Sequence, residues 1–208
     1  MPKLNGALGR NFWSSRNLTL LRLAKTAAFA GLLISGLAVS AGELRAGAYS
    51  LENRNADISF TYTVGFVEQM GRFKEIDGVL KFDKRAPRNS SISAVIKTAS
   101  LSANAFEEQL KGGDFFNVAA YPEIRFVSAS VRPLGENSAE FDGTLTMRGV
   151  SKPMTLRFDF APQPGAPGQM TMTVRGRLKR SDFDMTALSL LVDDEIEIVI
   201  KSALREKK

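Results

Sequence analysis

The stretch Ile58–Val64 reads ISFTYTV. Ile58, Phe60, Tyr62 and Val64 alternate with Ser59, Thr61 and Thr63. Successive side chains of an extended chain point to opposite faces, so this segment has one dry face and one wet face. The pattern spreads outward from it. Leu80 and Phe82 alternate with polar residues, as do Ile124 and Phe126, and Phe141, Gly143, Leu145 and Met147 form another such row. Ile92, Ala94 and Ile96 alternate with Ser93, Val95 and Lys97. Met154, Leu156, Phe158 and Phe160 follow, then Met170, Met172, Val174, Gly176 and Leu178, and last Ile196, Ile198 and Ile200. Short breakers separate the runs: Ala86–Asn89, Pro133–Asn137, Gly149–Pro153 and the longer PQPGAPG of Pro162–Gly168. Eight or nine strands with such short connections predict an antiparallel meander.

Two stretches leave this period. Ser102–Lys111, SANAFEEQLK, reads as a helix with Ser102 or Asn104 as its cap, ended by Gly112-Gly113. Ser181–Leu191 reads as a short helical turn capped by Ser181 or Asp182. The edges of an all-β sheet have to be buried. Closure into a barrel with a helix over one end achieves this, and a two-sheet sandwich is the alternative.

The beginning of the chain reads differently. Met1–Lys25 holds Lys3, Arg10, Arg16, Arg22 and Lys25 and no acid, and Thr26–Ser40 is an uncharged run of small and apolar residues. A basic start, a short apolar middle and small residues around Ala41 predict a secretory signal peptide over residues 1–41. Cleavage after Ala48 is the second choice and an N-terminal membrane anchor the alternative. Removing those five from the 28 basic residues leaves 23 against 22 acids, a net charge of +1. The basic character therefore belongs to the leader, and nucleic acid is not expected as a partner.

The sequence has no Cys and no His. Disulfides, thiolate sites and every nucleophile arrangement that depends on imidazole are excluded. No metal site, catalytic residue or catalytic cofactor is expected. The acids Asp182, Asp184, Asp193, Asp194 and Glu195 can do acid–base work only if buried, and read better as exposed turn residues and caps.

Several motifs, in order, carry a family resemblance. They are GRFKEIDGVLKFD (Gly71–Asp83), LKGGDFFNVAAYPEIRF (Leu110–Phe126) and LTMRGVSKPMTL (Leu145–Leu156). KRSDFDM (Lys179–Met185) and VDDEIEIVI (Val192–Ile200) complete the set. Together they resemble the YceI-like periplasmic proteins, also called polyisoprenoid-binding or lipocalin-like, over about residues 49–204. The chain departs from many of these relatives in lacking a His near Thr63–Gly65. The resemblance implies an all-β, eight-stranded antiparallel lipocalin-like barrel with a short helix near one end. It also implies an apolar tunnel holding a long-chain isoprenoid or quinone-like lipid as ligand.

From periodicity alone the inward rows can equally be plain core, because an eight-stranded barrel is just wide enough to be filled by its own side chains. With the resemblance, the tunnel lining is expected from Phe60, Tyr62, Phe82, Ile96, Leu110, Phe115, Phe116, Phe126, Leu145, Met147, Met154, Leu156, Phe158, Met172, Val174 and Ile198. The methionines suit a cavity whose guest varies. Burial of hydrocarbon gains about 0.8 kcal/mol per methylene, so one prenyl chain is a sensible guest without strong polar contacts. Arg148 and Lys152, at an expected hairpin tip, are candidates for a head group. Phe115 and Phe116 are expected to seal one end of the barrel. The function this implies is sequestration or transport of the lipid in the periplasm, with contacts to the membrane or a membrane redox protein, and a dimer as one possible state. The rivals are an enzyme or accessory acting on isoprenoid quinones, and a packed barrel acting through protein contacts in a stress response.

Overall fold

Twelve strand segments form one antiparallel sheet. They are β1 (Gly47–Glu52), β2 (Ala56–Val64), β3 (Val67–Phe73), β4 (Ile76–Phe82), β5 (Ser91–Lys97), β6 (Leu101–Ala103), β7 (Glu123–Gly135), β8 (Ser138–Met147), β9 (Val150–Pro162), β10 (Met170–Lys179), β11 (Glu195–Ala203) and β12 (Arg205–Glu206). The computed structural model describes residues 46–206 apart from 84 and 164–168, and of 205–206 only the backbone. The leader expected over residues 1–41 lies outside the described residues. Cleavage after Ala48 would remove Gly47 and Ala48, which pair with Phe82 and Lys81.

The segments join into eight staves, because four pairs of them continue one another across a kink. β1 and β2 run together against β4 and β3, with Glu52 opposite Asp77 and Ile58 opposite Phe73. β5 and β6 run against β4 and β3 on the other side. β7, β8, β9 and β10 follow as a plain meander. β11 pairs with β10 and then with β2, and β12 pairs with β1. Every stave therefore has two neighbours. The ring is closed, and its twelve described segments make the eight-staved barrel that the resemblance implies.

The kinks lie side by side in adjacent staves, and side chains replace the interrupted ladder there. The Asn55 amide donates to the Ser50 carbonyl, and the Ile76 N–H donates to Asn53 Oδ1 at 2.7 Å. The N–H groups of Lys74 and Glu75 both donate to Ser100 Oγ at 3.1 Å, and Thr98 Oγ1 donates to the Tyr121 carbonyl. Backbone groups that leave the ladder need other partners, and these short polar side chains supply them at a corner where the sheet turns.

The helix is shorter than the sequence suggests. α1 covers only Glu107–Lys111, because Leu101–Ala103 is taken as a strand by pairing with Gly71–Phe73. Neither Ser102 nor Asn104 caps it. Phe106 occupies the cap position at φ 58°, and Asn104 instead accepts from the Met70 N–H. Glu107 reaches back to accept from the Ala103 N–H in β6, and it pairs with Lys111 one turn on. The second expected helical turn is a 3-10 turn at Arg180–Phe183.

Below the middle of the barrel, away from α1, the lumen is solid. Leu80 and Phe141 are almost wholly buried, the Phe141 and Phe158 rings lie 4.2 Å apart, and Phe82 packs on Phe160 at 5.7 Å. Gly143 of β8 pairs with Ser128 of β7, beside the bulge between Ser128 and Ser130. A Cβ there would lie 2.4 Å from the Val127 carbonyl oxygen and 2.7 Å from Phe126 Cζ. Gly143→Ala is therefore expected to destabilise the barrel by about 1–3 kcal/mol. Gly113→Ala, whose Cβ meets nothing within 4 Å, should stay within about 0.5 kcal/mol of wild type. Urea unfolding of the two variants checks the difference.

Candidate functional site

The upper half of the barrel holds an apolar channel. Of its 29 lining residues only Ser59, Tyr62 and Arg180 carry polar side chains, and each of these is bonded to backbone carbonyls. The void inside is about 120 Å³. Fifteen of the sixteen residues expected to line a tunnel do line it: Phe60, Tyr62, Ile96, Leu110, Phe115, Phe116, Phe126, Leu145, Met147, Met154, Leu156, Phe158, Met172, Val174 and Ile198. Phe82 does not. It points inward as the alternation requires, but it sits in the packed lower half against Phe160.

Two segments fold over the upper end, and each is held by one arginine. The first runs from Asn104 to Pro122 and contains α1. Phe116 stacks edge-on against Phe60 and Phe73 at 5.7 and 5.3 Å, so its ring both packs on protein and faces the channel. The Tyr62 hydroxyl donates to the Ala105 carbonyl at 2.8 Å, and burial pushes its pKa up, which keeps it a neutral donor. Arg148 donates to the carbonyls of Gly113 and Phe115 and lies over the Tyr121 ring. Arg148 and Gly149 are the two central residues of the β8–β9 turn, at φ 51° and 75°. That is the left-handed pair a two-residue hairpin requires. Arg148 fastens the first segment through Nη1, while its buried Nε has no hydrogen-bond partner.

The second segment runs from Arg180 to Asp194. Arg180 is 3% exposed, and its guanidinium donates to four carbonyls, those of Met185, Ala187, Val192 and Asp193. Met185 and Val192 from this segment line the channel. Sequence reasoning missed Arg180, since a charge in KRSDFDM reads as exposed. The one clue was the Arg of the family motif in that stretch. Asp194 accepts from the backbone N–H and the hydroxyl of Ser181. Desolvation works to raise its pKa, but these bonds and the Arg180 charge bring the net value below the usual carboxylate range. The remaining acids are exposed. Asp184 ends the 3-10 turn in the left-handed region, and Glu195 pairs with Arg177 at 3.3 Å. Among the described residues no group of three acids is arranged to hold a metal ion.

The comparisons with known proteins agree with this architecture. The model of the YceI-like domain matches residues 49–204. Protein YceI of Escherichia coli is 30% identical over 178 residues, covering 82% of this chain and 93% of its own length. A UPF0312 protein of Pseudomonas putida is 37% identical over 137 residues, covering 64% of this chain and 71% of its own. Among solved structures, BcnA of Burkholderia cenocepacia superposes with a TM-score of 0.67 at 26% identity, over 74% of this chain and 99% of that one. A polyisoprenoid binding domain from Saccharophagus degradans shares the fold at 12% identity and a TM-score of 0.58, over 78% of this chain and the whole of that one.

Removing the Arg180 side chain leaves four carbonyls short of a donor in the upper segment. Arg180→Met is expected to cost about 3 kcal/mol or more in urea unfolding, and Arg148→Ala less, because Arg148 is only half-buried. Asp194 sets an acid limit. Its folded pKa lies below the unfolded one, so its contribution is complete above the unfolded value and is lost as pH falls through the folded value. The stability difference between wild type and Asp194→Asn should therefore be present at neutral pH and vanish in unfolding curves taken in strong acid.

Proposed function

The chain belongs to the YceI-like family, and from that premise we propose that it is an exported, periplasmic binding protein. It sequesters or carries one long-chain polyisoprenoid, quinone-like or related, and does no chemistry on it. The observation that carries this reading is a channel with 26 apolar residues among 29 and no unbonded polar side chain. Such a surface recognises hydrocarbon and offers nothing to orient a reaction. The lower half of the barrel is closed by packed aromatic rings, so the tail lies in the upper half and the head stays near the upper end.

The void of about 120 Å³ is close to the roughly 150 Å³ of engineered apolar cavities that take up one benzene. A chain of several isoprene units therefore requires the lining to move. Met147, Met154, Met172 and Met185 are the residues able to do so at little cost in rotamer energy. Burial of the chain gains about 0.8 kcal/mol per methylene-sized unit before the costs of ordering it are subtracted.

Membrane contact fits the upper end. Phe66, at the β2–β3 turn, and Leu190, in the second covering segment, are essentially fully exposed, with Val67, Leu188 and Leu191 more than half exposed beside them. The two loops are fastened together by the Gly65 N–H donating to the Leu191 carbonyl at 2.7 Å. These five side chains present roughly 600 Å² of apolar surface at most, short of the ~800 Å² per partner of a stable protein interface. They protrude from turns, which suits a fluid acyl layer. Residues 55–71 and 181–200 contain no Lys or Arg, so insertion is apolar and needs no anionic lipid.

Two measurements test the proposal. Ala94→Phe places a ring in the channel and should cut retention of an added long-chain polyprenol by at least about tenfold while the fold survives, since overpacking costs about 1–3 kcal/mol. Retention at the wild-type level would exclude the channel as the binding site. In vesicle flotation, Phe66→Ser with Leu190→Ser should abolish binding to phosphatidylcholine vesicles. Equal flotation of wild type and variant would exclude the apolar tip as the docking surface.

A further inference from the structure

The channel and the packed lower half share one aromatic ring. Down β9 the inward row runs Met154, Leu156, Phe158 and Phe160. The first three line the channel and Phe160 does not. On β10, Val174 and Met172 line it, and Met170 below them does not. Phe158 is therefore the last channel residue of its strand. At 0% exposed it is also the most deeply buried side chain of the lining.

The Phe158 ring is backed from below. Phe158 pairs with Ala139 and Leu156 with Phe141, so Phe141 is the diagonal neighbour of Phe158 across the β8–β9 ladder. Diagonal neighbours on one face are within reach of aromatic side chains, and the short Ala139 side chain leaves that contact open. The Phe158 ring lies 4.2 Å from that of Phe141 and 6.5 Å from that of Phe160, and Phe82 backs Phe160 at 5.7 Å. Four rings thus form one column, of which only Phe158 borders the channel. The side walls are different in kind. Unbranched methionines change rotamer at little cost, whereas a ring in a close-packed column moves only if its neighbours move too. The walls yield to a guest and the floor does not.

From this contrast we propose that Phe158 sets the length of tail the protein accepts. The far end of a bound isoprenoid stops against the Phe158 ring, and units beyond the number that fits above it stay outside the mouth. Units left outside add no buried surface, so affinity grows with chain length only until the tail reaches the ring. The proposal rests on the lipid-binding reading above and adds the residue that selects among homologues of one ligand class.

The test is a set of titrations of the purified protein with polyprenols graded by single isoprene units. Wild-type affinity should rise by about tenfold or more per buried unit and then level off. Phe158→Ala opens space continuous with the channel and should move the levelling-off point outward by about one unit. Phe158→Leu keeps more of the core volume and so guards against loss of the fold. It should act in the same direction, as a gain in affinity for the first homologue beyond the wild-type limit. Phe160→Ala removes an equal ring one level lower and should leave the limit where it is. A wild-type curve that never levels off, an unchanged limit in the Phe158 variants, or an equal shift in Phe160→Ala overturns the stop. No affinity of wild type for any homologue overturns the lipid-binding reading and the stop with it.

Discussion

The pairing of β11 and β12 back onto β2 and β1 is the constraint on which the rest of the structure depends. It turns a meander into a ring, so every described stave has a neighbour on both sides, although the β9–β10 ladder stops at Arg157 opposite Arg175. Once the ring is closed, alternate side chains are committed to a lumen of fixed width. The remaining question for the fold is how that lumen is filled. The aligned kinks near Asn55, Lys74 and Thr98 bend the staves without opening the ring, because Asn, Ser and Thr side chains replace the missing ladder bonds.

The lumen is filled unevenly, and function follows from the difference. Phe82, Phe141, Phe158 and Phe160 pack ring to ring and close the lower half. The upper half is bounded by aromatic, aliphatic and methionine side chains around a void. The segments over its mouth hold themselves with turn and helix backbone bonds, and each is also tied down by an arginine whose donors reach carbonyls of the segment. The arginine bonds add to apolar packing of the cover, in which Phe116 meets Phe60 and Phe73 and Phe183 is almost fully buried.

Much of this was legible in the sequence, and the misses share a cause. Period two identifies which face a strand residue occupies, and twelve of the thirteen strand residues expected in the lining do face the channel. It says nothing about depth along the barrel, which is why Phe82 had the right face and the wrong level. The helix was overextended because the pairing of Leu101–Ala103 with Gly71–Phe73 depends on residues thirty positions apart in the chain. Arg148 and Arg180 were opaque for the same reason. A basic residue beside a turn looks solvated until the carbonyls of a distant or looping segment are placed around it. The end of the β9–β10 ladder leaves a trace only in Lys152, a charge at an inward position of β9.

The central claim is that the upper lumen is a chamber for one lipid and not simply a loosely packed core. Native mass spectrometry of the protein purified from its own cells tests this most directly. The account predicts a mass excess of one long-chain isoprenoid per polypeptide, released by organic extraction without unfolding of the barrel. A bare polypeptide mass from fresh preparations, unchanged after incubation with excess polyprenol, would contradict it.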